Sequence, residues 1–282
     1  MKKWLTILRA YSWPASLVPV ILGSVVAARH GRFSWLDLAL TLPAALLIHS
    51  GANLANTYFD FSNGVDKPAT ADDRGLVDRL MPPAAMRNLA LALLAAGAAL
   101  GLLLAYKNHL PALLWLGAAG LALAWFYTAG PAYKYRTLGD VGIFLAFGPC
   151  IVTGTALIQT GVFVPEALWA SIPVGLLIVA ILHANNMRDL RSDAESDFRT
   201  LAGMLGLRRS ENLYYALILT PYLFSLSFGS VWPAAFCALS VPLAVRLRER
   251  AALGDFARLV PETARFVAVY GLLLSAGLYI AA

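Results

Sequence analysis

Long apolar runs separated by short polar breaks occupy almost the whole chain. Runs at residues 8–28, 36–57, 84–106, 109–128, 139–160, 165–187, 210–229, 231–247 and 263–281 each approach the roughly 20 residues that an α-helix needs to cross about 30 Å of hydrocarbon. The pattern predicts an all-α polytopic membrane protein with nine transmembrane helices. No low-complexity linker divides it, so residues 1–282 read as a single membrane domain.

Two polar breaks stand apart because acids and amides cut into an apolar run. The first is HSGANLANTYFDFSNGVDKPATADDRGLVDR, from His49 to Arg79. Asn56 and Asp60 are four residues apart and share one face of a helix. Asn63-Gly64 is a helix stop, which leaves Asp66 in the turn beyond it. The second is HANNMRDLRSDAESDFRT, where Asn185, Asp189 and Asp193 follow one another at four-residue spacing. The recurrence of Asn-x-x-x-Asp hints at an internal repeat, although the rest of the two halves matches poorly.

Composition agrees with the membrane reading. The chain is 59% hydrophobic and 13% charged, with a mean hydropathy of +0.67, whereas soluble domains carry about 25% charged residues. Residues Met1 to Ala28 have the basic start and apolar middle of a signal peptide. Arg9, Tyr11, Trp13 and Pro14 interrupt that run, however, and the next span follows at once, so a retained first helix is expected. Cys150 and Cys237 lie inside apolar runs with no CxxC spacing, which gives no support for a disulfide or structural zinc.

The net charge of +6 is better read by side of the membrane than as a nucleic-acid signal. With the N-terminus inside, only Arg29, Arg32 and Lys107 among the basic residues fall outside. Of the acids, only Asp37 and Glu166 do so. Both Asn-x-x-x-Asp stretches then face the cytoplasm.

Four carboxylates gathered there, Asp60, Asp66, Asp189 and Asp193, repel one another unless cations compensate them. Oxygen donors at this density suit Mg2+, which uses one or two carboxylates and completes its shell with water and substrate phosphates. A diphosphate adds further negative charge. Lys67, Arg74, Arg79, Lys134, Arg136, Arg188 and Arg191 lie in the same loops to balance it. A third loop, WFYTAGPAYKYRTLGD, breaks at Gly130-Pro131. Its Tyr133 and Tyr135 read as interface anchors. Tyr127, one turn inside, offers an aromatic face to a developing carbocation.

The stretches NLANTYFDFSNGVD with DDRGLVDR, YTAGPAYKYRTLGD, FGP and HANNMRDLRSDAESDFRTLA resemble, in order, the UbiA superfamily of intramembrane aromatic prenyltransferases. Within it they are most similar to the branch of 1,4-dihydroxy-2-naphthoate polyprenyltransferase, which also contains a vertebrate UbiA prenyltransferase domain-containing protein.

The resemblance implies nine helices around a central cavity with a cytoplasmic cap, in a plasma (inner) membrane. It implies a first motif of Asn56, Asp60 and Asp66 and a second of Asn185, Asp189 and Asp193, holding Mg2+ and a polyprenyl diphosphate. It further implies transfer to 1,4-dihydroxy-2-naphthoate with loss of CO2, giving demethylmenaquinone. The D-x5-D spacing of the first motif favours the naphthoate branch and leaves open whether Asp66, Asp72 or Asp73 ligates metal. The alternatives are another acceptor such as 4-hydroxybenzoate, or a polytopic transporter, whose binding site belongs at the membrane midplane.

Acceptor contacts stay open at this stage. Arg9 can meet a carboxylate or snorkel to the interface. His49 and His183 are packing residues or proton acceptors, and Asn53 and Asn186 can orient the aspartates.

Overall fold

The computed structural model describes residues 2–66, 74–194 and 199–281, and within them the chain is helical nearly throughout. The principal helices are α1 (Pro14–Arg29), α2 (Trp35–Ser62), α3 (Pro83–Lys107), α4 (Pro111–Phe126), α5 (Gly139–Thr160), α6 (Pro165–Arg188), α7 (Leu207–Ser225), α8 (Val231–Ala238), α9 (Val241–Ala252) and α10 (Phe256–Ile280). Among the described residues six segments are long and apolar enough to span a membrane: Ala10–Arg29, which contains α1, together with α2, α3, α5, α6 and α10. There are seven if α8 and α9, bent by 50° at a short break, count as one span.

Three of the nine predicted spans therefore differ from expectation, or two if the bent pair counts: residues 231–247 are broken between α8 and α9. Residues 109–128 form the 16-residue α4, about 24 Å long at 1.5 Å per residue and shorter than the hydrocarbon layer. Residues 210–229 belong to α7, whose first turns carry Arg208, Arg209 and Glu211.

Local chemistry sets the helix ends. Ser34 caps α2 by accepting from the Asp37 amide at 3.2 Å. At the other end Asn63 is the C-cap and Gly64 turns left-handed at φ 72°. The Val65 amide then donates back to the Asp60 carbonyl at 2.8 Å, which folds Asp66 under the helix end. Proline recurs inside helices, at Pro19, Pro43, Pro173 and Pro221, as membrane helices tolerate. Pro149 sits in a π-helical stretch, Ala146–Cys150, within α5.

Small residues let the helices meet closely, as expected where lipid provides no hydrophobic drive for helix association. A Cβ on Gly23 would lie 2.5 Å from the Val152 carbonyl oxygen, so α1 and α5 touch through backbone. Gly23→Leu is therefore expected to force the two helices apart and destabilise the fold by about 1–3 kcal/mol. A lowered midpoint of thermal unfolding in detergent is the readout, and an unchanged midpoint would refute the close contact.

The end of the bundle away from the acidic motifs is tied by ion pairs. Arg29 and His30 both reach Glu166 at 3.0 Å, and Lys107 meets Asp37 at 2.9 Å. Four of the few charges expected on that side thus neutralise each other in pairs, consistent with the cost of leaving them bare at a membrane boundary.

Candidate active site

At the other end, both Asn-x-x-x-Asp motifs and the loop after α4 line one cavity of about 800 Å³. Its polar mouth carries Asn56, Asp60, Asp66, Lys134, Asn185, Arg188, Asp189 and Asp193, and Tyr127 also lines it. Below, the walls are apolar. A Cβ on Gly101, Gly117 or Gly120, all of which line the cavity, would meet nothing within 4 Å, so the α3–α4 side of the wall is open.

Lys134 lies at the centre of the first motif. The 3-10 turn Tyr133–Tyr135 follows Ala132, which is left-handed at φ 45°. Its ammonium nitrogen is 2.7 Å from Asn56 Oδ1 and 2.7 and 2.6 Å from the two oxygens of Asp60. Thr128 donates to the same Asn56 oxygen at 2.7 Å, and the Tyr135 hydroxyl donates to Asp60. Burial pulls the Lys134 amine down from its ordinary range while the Asp60 carboxylate pulls it back up. Burial, and then Asp60, push the Tyr135 phenol up.

The second motif leaves α6 as a stack. The Asp189 amide donates to the Asn185 carbonyl and the Asp193 amide to that of Asp189, at 3.0 and 2.9 Å. The guanidinium of Arg188 grips the Asp189 carboxylate in a fork at 2.8 and 2.7 Å. Burial and then the neighbouring Asp189 charge push the Asp193 carboxyl up to about 6. The two halves are joined by backbone: the Thr137 amide donates to the Arg199 carbonyl at 2.7 Å, and the Arg199 amide to that of Tyr135. This link holds the Lys134 turn beside the second motif.

The predicted residues therefore divide. Asn56, Asp60, Asp66, Tyr127, Lys134, Asn185, Arg188, Asp189 and Asp193 come together on the cavity. Arg74 pairs with Asp78, its neighbour one turn on, while Arg79 and Arg136 are not among the cavity-lining residues. Lys67, Asp72 and Asp73 lie outside the described residues. Among the described residues no three acids, histidines or cysteines converge closely enough to hold an ion. Asp60 and Asp189 are instead each engaged by a basic side chain.

Tyr135, read from the sequence as an interface anchor, instead serves Asp60, and Thr128 was not singled out at all. The signal available for both was their place in the same Gly-Pro loop as Lys134. Tyr127 packs edge-on against Tyr133 at 5.4 Å and has the Lys134 ammonium 5.7 Å from its ring centroid. A positive charge already rests near that aromatic face.

The model of the UbiA prenyltransferase family matches residues 16–276. The chain belongs to this family. UbiA prenyltransferase domain-containing protein 1 of Homo sapiens is 37% identical over 281 residues, covering 97% of this chain and 82% of its own length. In fold, a UbiA homolog from Aeropyrum pernix K1, solved in its apo form, superposes with a TM-score of 0.70 at 20% identity, over 98% of this chain and 97% of that one. A UbiA homolog from Archaeoglobus fulgidus bound to DMAPP and Mg2+ superposes with a TM-score of 0.64 at 15% identity, over 97% of this chain and 99% of that one. A family of membrane prenyltransferases accounts for a polar, acid-lined mouth set over an apolar cavity, and it removes the transporter reading.

Proposed function

We propose that this UbiA-family chain moves a polyprenyl group from an allylic diphosphate to 1,4-dihydroxy-2-naphthoate, with release of CO2, in a Mg2+-dependent reaction that makes demethylmenaquinone. The observation that carries the reading is the meeting of both Asn-x-x-x-Asp motifs, Lys134 and Arg188 at the mouth of one apolar cavity. The naphthoate acceptor rests on the D-x5-D spacing and the resemblance of the motifs to that branch. The Archaeoglobus homolog bound to DMAPP and Mg2+ shares the fold, and supports the choice of donor and metal.

The residues present suit a hard cation. Asp60, Asp66, Asp189 and Asp193 supply carboxylate oxygens, and the amide oxygen of Asn185 is buried with no hydrogen-bond partner among the described residues. Bound Mg2+ would neutralise the diphosphate as its bond to the allylic carbon breaks. Lys134 and Arg188 add positive charge to the leaving group. The face of Tyr127 stabilises the allylic cation, and the apolar walls hold the tail and exclude water that would hydrolyse it. Arg9, which lines the same cavity, supplies a cation for an acceptor carboxylate.

Counting α4, α7 and the bent α8–α9 pair as spans gives the nine-helix arrangement of the family around this cavity. The distribution of basic residues orients the acidic mouth toward the cytoplasm of a plasma (inner) membrane.

The test is direct. Purified protein in detergent is incubated with Mg2+, a polyprenyl diphosphate and either 1,4-dihydroxy-2-naphthoate or 4-hydroxybenzoate, and products are identified by mass. Prenylated naphthoquinol that disappears on adding EDTA is expected. Turnover of hydroxybenzoate alone would overturn the acceptor assignment, and EDTA-resistant turnover the metal.

A further inference from the structure

One buried acid and one buried histidine meet outside the cavity lining, and the transfer step described above uses neither. Asp140 lies in the first turn of α5 and is 7% exposed. His183 lies on α6, two residues before Asn185, and is 0% exposed. Its Nε2 is 3.2 Å from the Ser210 carbonyl oxygen on α7. A carbonyl only accepts, so Nε2 carries a proton and donates it. Nδ1 faces Asp140 Oδ1 at 3.4 Å, and neither atom has a hydrogen-bond partner among the described residues. A bare Nδ1 and a carboxylate oxygen are both acceptors and would repel each other. The contact therefore holds one proton, which leaves the pair neutral overall and lets each buried atom satisfy the other.

The two partners belong to different parts of the site. Asp140 shares its turn with Gly139 and Gly142, and the Lys134 turn packs on both. A Cβ on Gly142 would stand 2.3 Å from the Tyr133 ring, and one on Gly139 3.4 Å from the Lys134 Cα. His183 is on the helix that carries Asn185 and Arg188 and leads into Asp189. The exposed backbone link of Thr137 with Arg199 is one tie between the Lys134 turn and the second motif. Asp140 with His183 is a second tie, and it is buried. Lys134 also acts across the gap, since its charge offsets part of the upward push on the Asp193 carboxyl.

Resting on the prenyl-transfer reading above, we infer that Asp140 and His183 are positioning residues for that reaction, which set the place of Lys134 relative to Asp189 and Asp193. A hydrogen-bonded contact fixes direction as well as distance, whereas apolar contact is non-directional. A cation aimed at a departing diphosphate helps only where that charge develops. The pair acts on the substrate through Lys134 and the second motif and touches none of it.

The experiment compares wild type, Asp140→Asn, Asp140→Val and the double variant Asp140→Val with His183→Leu. Each is purified in detergent, and its kcat, acceptor KM and midpoint of thermal unfolding are measured. The assay contains Mg2+, a polyprenyl diphosphate and whichever of 1,4-dihydroxy-2-naphthoate and 4-hydroxybenzoate wild type prenylates. Replacing both members of a buried polar pair by apolar side chains is often neutral or stabilising, so the double variant is expected to unfold at or above the wild-type midpoint. Its kcat is expected to fall about 10²-fold, the scale of a displacement of about 1 Å at a catalytic group, with acceptor KM unchanged. In Asp140→Asn the amide N–H donates to Nδ1 of a neutral His183 and no shared proton is needed. Its kcat is expected to return to within a few-fold of wild type, while Asp140→Val falls as the double variant does.

Wild-type kcat in the double variant would overturn the inference. If that variant does not fold, Asp140→Asn against Asp140→Val keeps the comparison, and equal rates in those two would overturn it. A loss of kcat accompanied by a lowered midpoint and a raised acceptor KM would identify a general structural defect and overturn the positioning role. In each case the prenyltransferase reading stands. Absence of prenylation of either acceptor by wild type would instead overturn the functional reading and this inference with it.

Discussion

Asp60→Ala and Asp189→Ala are each expected to lower prenyl transfer by about 10³-fold, the scale seen when a group aimed at transition-state charge is removed. Each aspartate belongs to a different motif, and the motifs reach the mouth from separate helices, α2 and α6. The loss should fall mainly on kcat, because charge on the departing diphosphate grows as the bond breaks. Raising Mg2+ should recover little of it, since the oxygen donors themselves are gone. Asp255→Ala removes an acid paired with Arg250, outside the cavity lining, and is expected to keep the wild-type rate. Rates within a few-fold of wild type in both site variants, with the protein monodisperse in detergent, would remove the metal-diphosphate assignment.

Lys134→Ala is expected to have the largest effect on stability. Asp60 is 7% exposed and its carboxylate is held by the Lys134 ammonium. Deleting one partner of a buried pair leaves the other charge uncompensated, at a cost of about 3–5 kcal/mol. The Asn56 oxygen would lose a donor at the same time, keeping only Thr128. In EDTA the variant should unfold at a clearly lower temperature than wild type. Adding Mg2+ should raise its midpoint by more than it raises that of wild type, because an external cation then serves carboxylates that have lost their internal one. Lys134→Arg should restore little. A planar guanidinium presents its donors in a fixed fork and does not reproduce a point charge between an amide oxygen and a carboxylate. A midpoint in EDTA equal to that of wild type would show that Asp60 does not depend on Lys134.

The acidic motifs were legible because they violate their surroundings. A carboxylate at the end of an apolar helix is expensive, so Asp60 and Asp189 announced themselves, as did the Asn63-Gly64 stop. The span boundaries were less legible. Hydropathy registers apolar content but not where a helix begins, and α4 turned out at 16 residues while α7 drew its first turn from a charged stretch. Basic residues were the least legible of all. Arg74, Arg79, Arg136, Lys134 and Arg188 share loops, yet of these only Lys134 and Arg188 line the cavity. Long flexible side chains go where backbone turns aim them, and a left-handed Ala132 aimed Lys134.

Sequence alone determined the membrane character, the all-α class, the two Asn-x-x-x-Asp motifs and the family. Each depends on residue type and spacing along a single helix, and those survive without knowledge of packing. Tertiary structure alone decided which loop cation sits between Asn56 and Asp60, and that Tyr135 serves Asp60. These are contacts between segments far apart in the chain. They arise only when helices pack closely through glycines such as Gly23 and when the backbone pairing of Arg136 with Arg199 draws the two motif loops together.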